Sequence, residues 1–428
     1  MGTTGVAIDT NEQQPLVKAE LANRQPPVIV LNLFYCGLGI VRDMAGRDVR
    51  VLGLSAHPEA YGNFPRRCEV RFASNSQEEP ERLLKFLLEA ADEWHGGVIF
   101  PTRDADVLFL DRFRRELTRH YRLAIPPHEV LLKVIDKHAL TRAAADAQVP
   151  IPRTVIVHSR AELVRIPTEL GFPCVVKPVS SVHWRQGDSW NMVGGRKAFR
   201  VDSLEQLQNE YETVSVVNAA ILVQEWIPGP TDAIVVVGAY VNQDSEPLAY
   251  FTARKLVQSP DDFGTGCVVE SIAIPELLAP TLRLWRNLAY QGMAEVEYKR
   301  DARDGQFKLI EINARHWDWH RLGRASGVNL SWVAYSHLTG KTVVPSRRPI
   351  VRMKWIAEDA LLLHCARAIY RRQPGLVDLW QHLSGRRMYG IFAWNDPLPF
   401  LRYAITVLIP LMVKTILIKL QGKTRSRS

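Results

Sequence analysis

The chain has 428 residues, 46% of them hydrophobic and 23% charged, and its 54 Lys and Arg outnumber 45 Asp and Glu for a formal net charge of +9. That balance describes a folded protein of two or three domains and excludes an intrinsically disordered chain. Five dispersed cysteines (Cys36, Cys68, Cys174, Cys267 and Cys365) exclude a disulfide framework and point to a reducing, cytoplasmic compartment, while the positive excess, lacking a clustered stripe, suits anionic small molecules or an anionic membrane surface rather than nucleic acid.

Residues 1–27 have no basic region leading into an apolar core, so no secretory signal is expected there, only a flexible tail. Val28-Ile-Val-Leu-Asn32 reads as a buried strand followed by Gly37-Leu-Gly39 and a helical stretch to residue 45. Two more short apolar strands, Arg50 to Leu54 and Gly97 to Phe100, flank a predicted helix over 80–94. This alternation predicts a Rossmann-like parallel sheet over 28–125. The Gly37-x-Gly39 pair lacks the third glycine of a dinucleotide fingerprint, so no nicotinamide cofactor is expected.

A second domain is expected over 126–340. Its first helix is predicted between two proline punctuations, over 128–148, and is followed by strand Arg153 to Val157, a helix over 161–170, and Phe172-Pro-Cys-Val-Val-Lys-Pro178. Lys177 ends that apolar strand, where Pro178 stops the ladder, and its ammonium either enters a cleft as a point charge for phosphate or snorkels at a strand end. Val223-Gln-Glu-Trp-Ile-Pro-Gly-Pro230 is a strand broken by Pro-Gly beside an apolar Trp226-Ile227 pair, a combination that holds a flat heterocycle or simply ends a strand. Further strands are expected over 233–241 and 247–252, with a helix over 275–291.

The most informative stretch follows. Ala294-Glu-Val-Glu-Tyr-Lys299 and Lys308-Leu-Ile-Glu-Ile-Asn313 alternate about an Asp304-Gly305 turn, the pattern of a β-hairpin. In the register that keeps the faces unmixed, Val296 faces Ile312 and Tyr298 faces Ile310, while Glu297 stands opposite Glu311 with Asn313 two residues along. Opposed carboxylates repel unless a hard cation lies between them, so the pair is either a magnesium site or a solvated acidic face. The region 341–428 is basic and helix-prone, and 401–420 has the length of a bilayer span but carries Arg402, Pro410, Lys414 and Lys419, which favours a helix lying on a membrane surface or packing on the core.

Taken in order, these pieces resemble the ATP-grasp superfamily over residues 28–340. Asp136-Lys137 before a helix resembles the entry to its ATP-binding domain, Phe172 to Pro178 its phosphate-lysine strand, Val223 to Gly229 its adenine hinge, and Val296-Glu-Tyr298 with Leu309-Ile-Glu-Ile-Asn-Ala-Arg315 its metal signature. The resemblance implies an α/β fold, α+β in the ATP-binding part, with a Rossmann-like N-terminal domain. It implies ATP and Mg2+ as cofactors, with Mn2+ as an alternative ion. It places Lys137 and Lys177 on phosphates and Gln224, Glu225, Trp226 and Ile227 around adenine, with Asp232 toward the ribose. Glu297, Glu311 and Asn313 would be metal ligands, and Arg254, Lys255 and Arg315 the cations facing the γ-phosphate or acyl group.

The implied activity is an ADP-forming ligation in which a carboxylate becomes an acyl phosphate and an amine displaces phosphate. A small-molecule kinase on the same scaffold and a membrane-peripheral ATP-binding module are the alternatives. Homodimers are common among such relatives, and the implied location is cytoplasmic with an option of contact at the inner face of a membrane. The chain departs from the pattern in two places. Its lid stretch, 180–195, contains Trp184 and Trp190, which either close over substrate or pack on protein. Its continuation after Arg315, His316-Trp-Asp-Trp-His-Arg321, is expected to form a substrate-facing wall, with zinc binding by His316 and His320 as the minor alternative.

Overall fold

The computed structural model describes residues 25–179, 184, 188–343, 351–370 and 381–410. Three sheets organise them. The first is wholly parallel, with β1 (Val28–Leu31) central, β2 (Val51–Ser55) and β3 (Glu69–Phe72) on one side and β4 (Val98–Phe100) and β5 (Arg122–Leu123) on the other. All four residues of β1 are buried, which is why it reads as a continuous apolar run rather than an alternating one. Helix Tyr35–Asp43 follows β1, and its glycines are packing devices. A Cβ on Gly37 would collide with the Asn32 carbonyl, and one on Gly39 would sit 2.7 Å from the His320 ring.

The expected single helix over 128–148 is two, His128–Ile135 and Lys137–Asp146. Asp136 breaks it by taking an extended conformation and accepting hydrogen bonds from the backbone N–H groups of His138 (2.8 Å) and Ala139 (2.9 Å) as an N-cap. Lys137 therefore stands at the first position of a new helix.

The second sheet is antiparallel, in the order β6 (Thr154–Val157), β9 (Ile221–Glu225), β7 (Cys174–Pro178), β8 (Phe199–Val201). It has its own small core of Val157, Cys174, Val176, Leu207 and Val223, into which Trp184 is buried, stacked on Phe199 at 5.9 Å. Of the two lid tryptophans, Trp184 thus packs on protein. Residues 180–183 and 185–187 of the lid stretch lie outside the described residues.

The third sheet is built from β10 (Ile234–Val241), β11 (Pro247–Ser259), β12 (Thr265–Ser271), β13 (Gly292–Arg300) and β14 (Phe307–Asn313), in the order β14-β13-β10-β11-β12. It does not stop at residue 340. β15 (Lys354–Ile356) pairs antiparallel with β12, and β16 (Arg387–Tyr389) extends it in parallel. The basic C-terminal region, expected as a separate helical part, therefore contributes to the sheet. Its helix Leu398–Tyr403 continues as a π-helical turn through Leu408, and residues 411–420 of the expected surface helix lie outside the described residues. Among the described residues no helix is long and apolar enough to cross a membrane. The first and third sheets share cores, in which Ile29, Leu52 and Ile99 join Val237, Trp285, Val296 and Tyr298.

Candidate functional site

A cleft of about 950 Å³ opens between the second and third sheets and is closed at one end by the first domain's helix Asp104–Arg112. Its floor is the β13–β14 hairpin. Glu297 pairs directly with Glu311, Val296 with Ile312, and Glu295 with Asn313. Beyond Glu297 the register shifts through a bulge, so Tyr298 faces Leu309 rather than the expected Ile310. The bulge lets Leu309 enter the core while Ile310 joins Glu311 among the cleft-lining residues.

Glu297, Glu311 and Asn313 all line the cleft, together with Glu295, which the sequence reading did not single out. The Asn313 Nδ2 donates to Glu295 (2.9 Å) and to Glu311 (3.3 Å), so the amide oxygen is left for another partner. The Lys255 ammonium donates to Glu297 at 2.5 Å, so a protein cation already stands against the carboxylates. Among the described residues no three His, Cys, Asp or Glu side chains converge as a ready-made metal centre. Two carboxylates and an amide suit Mg2+, which takes few protein ligands and completes its shell with water and phosphate oxygens.

The charges around this floor are strongly coupled. Burial pushes the Glu295 carboxyl up to about 8, against the pull of Lys255. Glu311 goes the other way: burial opposes its ionisation, but Lys197, Lys137, Lys255 and Lys177 hold it down at about 2. Burial lowers the Lys177 ammonium, with Glu311 and Glu297 partly restoring it. Lys255 is also buried, yet Glu297 and Glu295 raise it. Four lysines thus surround one carboxylate, an excess of positive charge in a closed space that suits a polyanion. Lys197 was missed from sequence because it follows the glycine pair Gly194-Gly195 with no flanking periodicity to place it.

The hinge residues divide their roles. Gln224 accepts from the Lys177 ammonium (2.9 Å) and donates to Thr154 Oγ1 (3.0 Å), so its side chain aims the lysine rather than facing a heterocycle. The Glu225 carboxylate points into an ion cluster with Lys308 (2.8 Å) and Arg153 (3.1 Å), so its side chain is not available to a ligand. Trp226 and Ile227 line the cleft with Phe263, whose ring meets Trp226 edge-on at 5.9 Å. Lys299 lies over the Trp226 ring, 4.8 Å from its centroid.

Two expected residues stand elsewhere. Arg254 is adjacent to Lys255 on β11, and neighbours on a strand point to opposite faces. Lys255 enters the cleft, while Arg254 binds the buried Glu270 at 3.0 Å. Asp232 is half-buried, 3.9 Å from Arg254, and is not part of the cleft lining.

At the far end Arg315 donates to Asp104 (2.6 Å) across the domain boundary, which holds the guanidinium firmly protonated. Arg103, Trp317, Asp318 and Trp319 complete this end. The two histidines of the 316–321 stretch face the other way. His316 contacts Ser331 Oγ (3.1 Å), which donates to Asp43 (2.8 Å), and His320 Nε2 is 3.5 Å from Asp43. Both rings are buried, and burial keeps His316 neutral. The tryptophans, not the histidines, form the wall, and the histidines fasten the loop to helix Tyr35–Asp43.

No family model matches the chain. A D-aspartate ligase of Enterococcus faecium is 24% identical over 322 residues, covering 67% of this chain and 74% of the relative. A D-alanine–D-alanine ligase of Pseudomonas fluorescens is 27% identical over 172 residues, which is 39% of this chain and 48% of that ligase, so the match spans about half the relative's length. Among solved structures, the biotin carboxylase domain of the Hydrogenobacter thermophilus 2-oxoglutarate carboxylase, with MgADP, ADP and bicarbonate, superposes with a TM-score of 0.61 at 16% identity over 77% of this chain and 72% of that one.

Proposed function

We infer that this ATP-grasp chain is an ADP-forming carboxylate–amine ligase and that its amine substrate is an amino acid. The observation that carries the reading is the directly opposed Glu297–Glu311 pair, with Asn313 beside it, on the floor of a cleft lined by Lys137, Lys177, Lys197 and Lys255. In our reading ATP lies along the hinge, with the heterocycle between Trp226, Ile227 and Phe263 and its phosphates toward the four lysines. Glu297, Glu311 and Asn313 would hold magnesium, which when bound supplies charge neutralisation on the phosphate oxygens.

The protein's part is positioning and charge. A substrate carboxylate oxygen attacks the γ-phosphorus, the bond to the β-γ bridging oxygen breaks, and ADP leaves. The amine nitrogen then attacks the acyl carbon, the bond to the phosphate oxygen breaks, and inorganic phosphate leaves as the nitrogen gives up its proton. Charge builds on phosphoryl oxygens in the first step and on the acyl oxygen in the second, and the fixed ammonium groups of Lys177 and Lys255 and the Arg315 guanidinium are preorganised to meet it. No covalent enzyme intermediate is needed, and buried Cys174 and Cys267 are packing residues.

An amino acid fits because the far end of the cleft brings Arg103 and the Arg315–Asp104 pair beside Asp318, so that groups of both signs meet a zwitterion there. The sequence similarity to a D-aspartate ligase supports the same class. The test is ADP release measured over D- and L-amino acids paired with small carboxylic acids, with the product identified by mass. A condensed amide upholds the reading, whereas a stable phosphorylated product without condensation makes the chain a kinase.

A further inference from the structure

Helix Leu398–Tyr403 and its continuation through Leu408 are apolar on both sides. Inward, Tyr403 is buried against Leu38, Tyr61 and Ile391. Outward, Leu398, Leu401, Ile405 and Ile409 are all exposed, Ile405 at 61%, and their spacing of three, four and four places them on one stripe. Beside the stripe's start stands Trp394, 89% exposed, the most exposed large hydrophobic side chain among the described residues. A surface helix ordinarily carries charge where this one carries leucine and isoleucine, and a contiguous apolar patch marks a contact with something other than water.

The charge around the patch says what that contact is. Arg402 lies half-buried over the Phe64 ring (5.3 Å), and Arg66 and Arg67 follow directly after Phe64-Pro65. The described acids packed under this face are engaged within the protein: Asp396 is spent on Arg42 (2.9 Å) and on the Arg66 backbone N–H (2.9 Å), which tie the Trp394 loop to the first domain, Glu358 accepts from the backbone N–H groups of Ile391 and Phe392, and Asp359 accepts from the Tyr35 hydroxyl. In sequence, residues 397–428 contain six Lys and Arg and no Asp or Glu. Exposed leucine and isoleucine, an exposed tryptophan and a surround in which free cations predominate are complementary to an anionic lipid surface. A protein partner's apolar groove would have no need of that one-sided charge.

We propose that the stripe of Leu398, Leu401, Ile405 and Ile409 with Trp394 docks this chain on an anionic bilayer as a peripheral protein. The inference is independent of the ligase reading, because none of the five side chains lines the cleft. The test is co-sedimentation of the full chain with vesicles of phosphatidylcholine alone and of phosphatidylcholine mixed with phosphatidylglycerol. The wild type is expected to sediment with the mixed vesicles, to stay in solution with the neutral ones, and to be released by raised salt. The double variant L401E/I405E is expected to lose binding to mixed vesicles by about tenfold or more, and W394A to lose part of it. Both sites face solvent, so L401E/I405E should keep the wild-type melting temperature and ADP release, which separates lost docking from lost folding. Wild type remaining in solution with both vesicles overturns the proposal, as does undiminished sedimentation of L401E/I405E. A lipid-free dimer by light scattering that L401E/I405E converts to a monomer also overturns it, assigning the face to a second copy.

Discussion

The two ends of the β13–β14 hairpin carry charged clusters of opposite design. Near the turn, Asp301, Glu225, Lys308, Arg303 and Arg153 form a closed set: Lys308 reaches Glu225 (2.8 Å) and Asp301 (2.9 Å), and Arg303 holds Asp301 at 2.6 Å. Asp301 has two cations and Glu225 three, and both acids are held below the usual carboxylate range. In the cleft, Lys255 is bonded to Glu297, Glu295 and Glu311 accept from the Asn313 amide, and Lys197, Lys137, Lys255 and Lys177 all bear on the ionisation of Glu311. A satisfied cluster rigidifies a fold, whereas a cluster whose members push one another's ionisation apart is organised for a ligand. One hairpin thus supports the structure at one end and receives charge at the other.

That contrast can be broken by mutation. Glu311→Ala should lower ATP turnover on the order of 10³-fold in an ADP-release assay. It should also abolish the rise in melting temperature that Mg2+ and a non-hydrolysable ATP analogue give the wild type, and full activity in this variant would reject the metal assignment. Asp301→Asn, at the other end, should cost about 3 kcal/mol in urea unfolding, the low figure for a broken buried pair because Arg303 is half exposed, with turnover little changed.

A pH series sharpens the same comparison. Glu225 has a depressed pKa in the folded state, so the stability it contributes is complete above its unfolded value and is lost as pH falls through the folded one. The difference in unfolding free energy between wild type and Glu225→Gln should therefore be constant near neutrality and shrink below about pH 4. The smallest effect is expected from Arg254→Ala, whose side chain lies on the face of β11 away from the cleft. ADP release should stay within about threefold of wild type, since Arg352 (2.7 Å) still holds Glu270. A large loss there would return Arg254 to the reaction.

Sequence by itself determined the hairpin, its opposed glutamates and the parallel character of the first sheet, because strand alternation and buried apolar runs are local patterns with a fixed period. It also placed Lys177 near a strand end, although the ladder runs one residue further, to Pro178 opposite Ile221. What it could not decide was direction. Whether Arg254 or Lys255 enters the cleft depends on which face of β11 is packed, and the choice between Ile310 and Leu309 for the core depends on a bulge. His316 and His320 turn inward because Asp43 and Ser331, distant in sequence, offer buried partners, and the tryptophans between them are left as the wall. Glu295 and Asp318 became site residues only when the sheets and the first domain closed around one cavity. Tertiary packing assigns faces, and a side chain's chemistry follows from the face it is given.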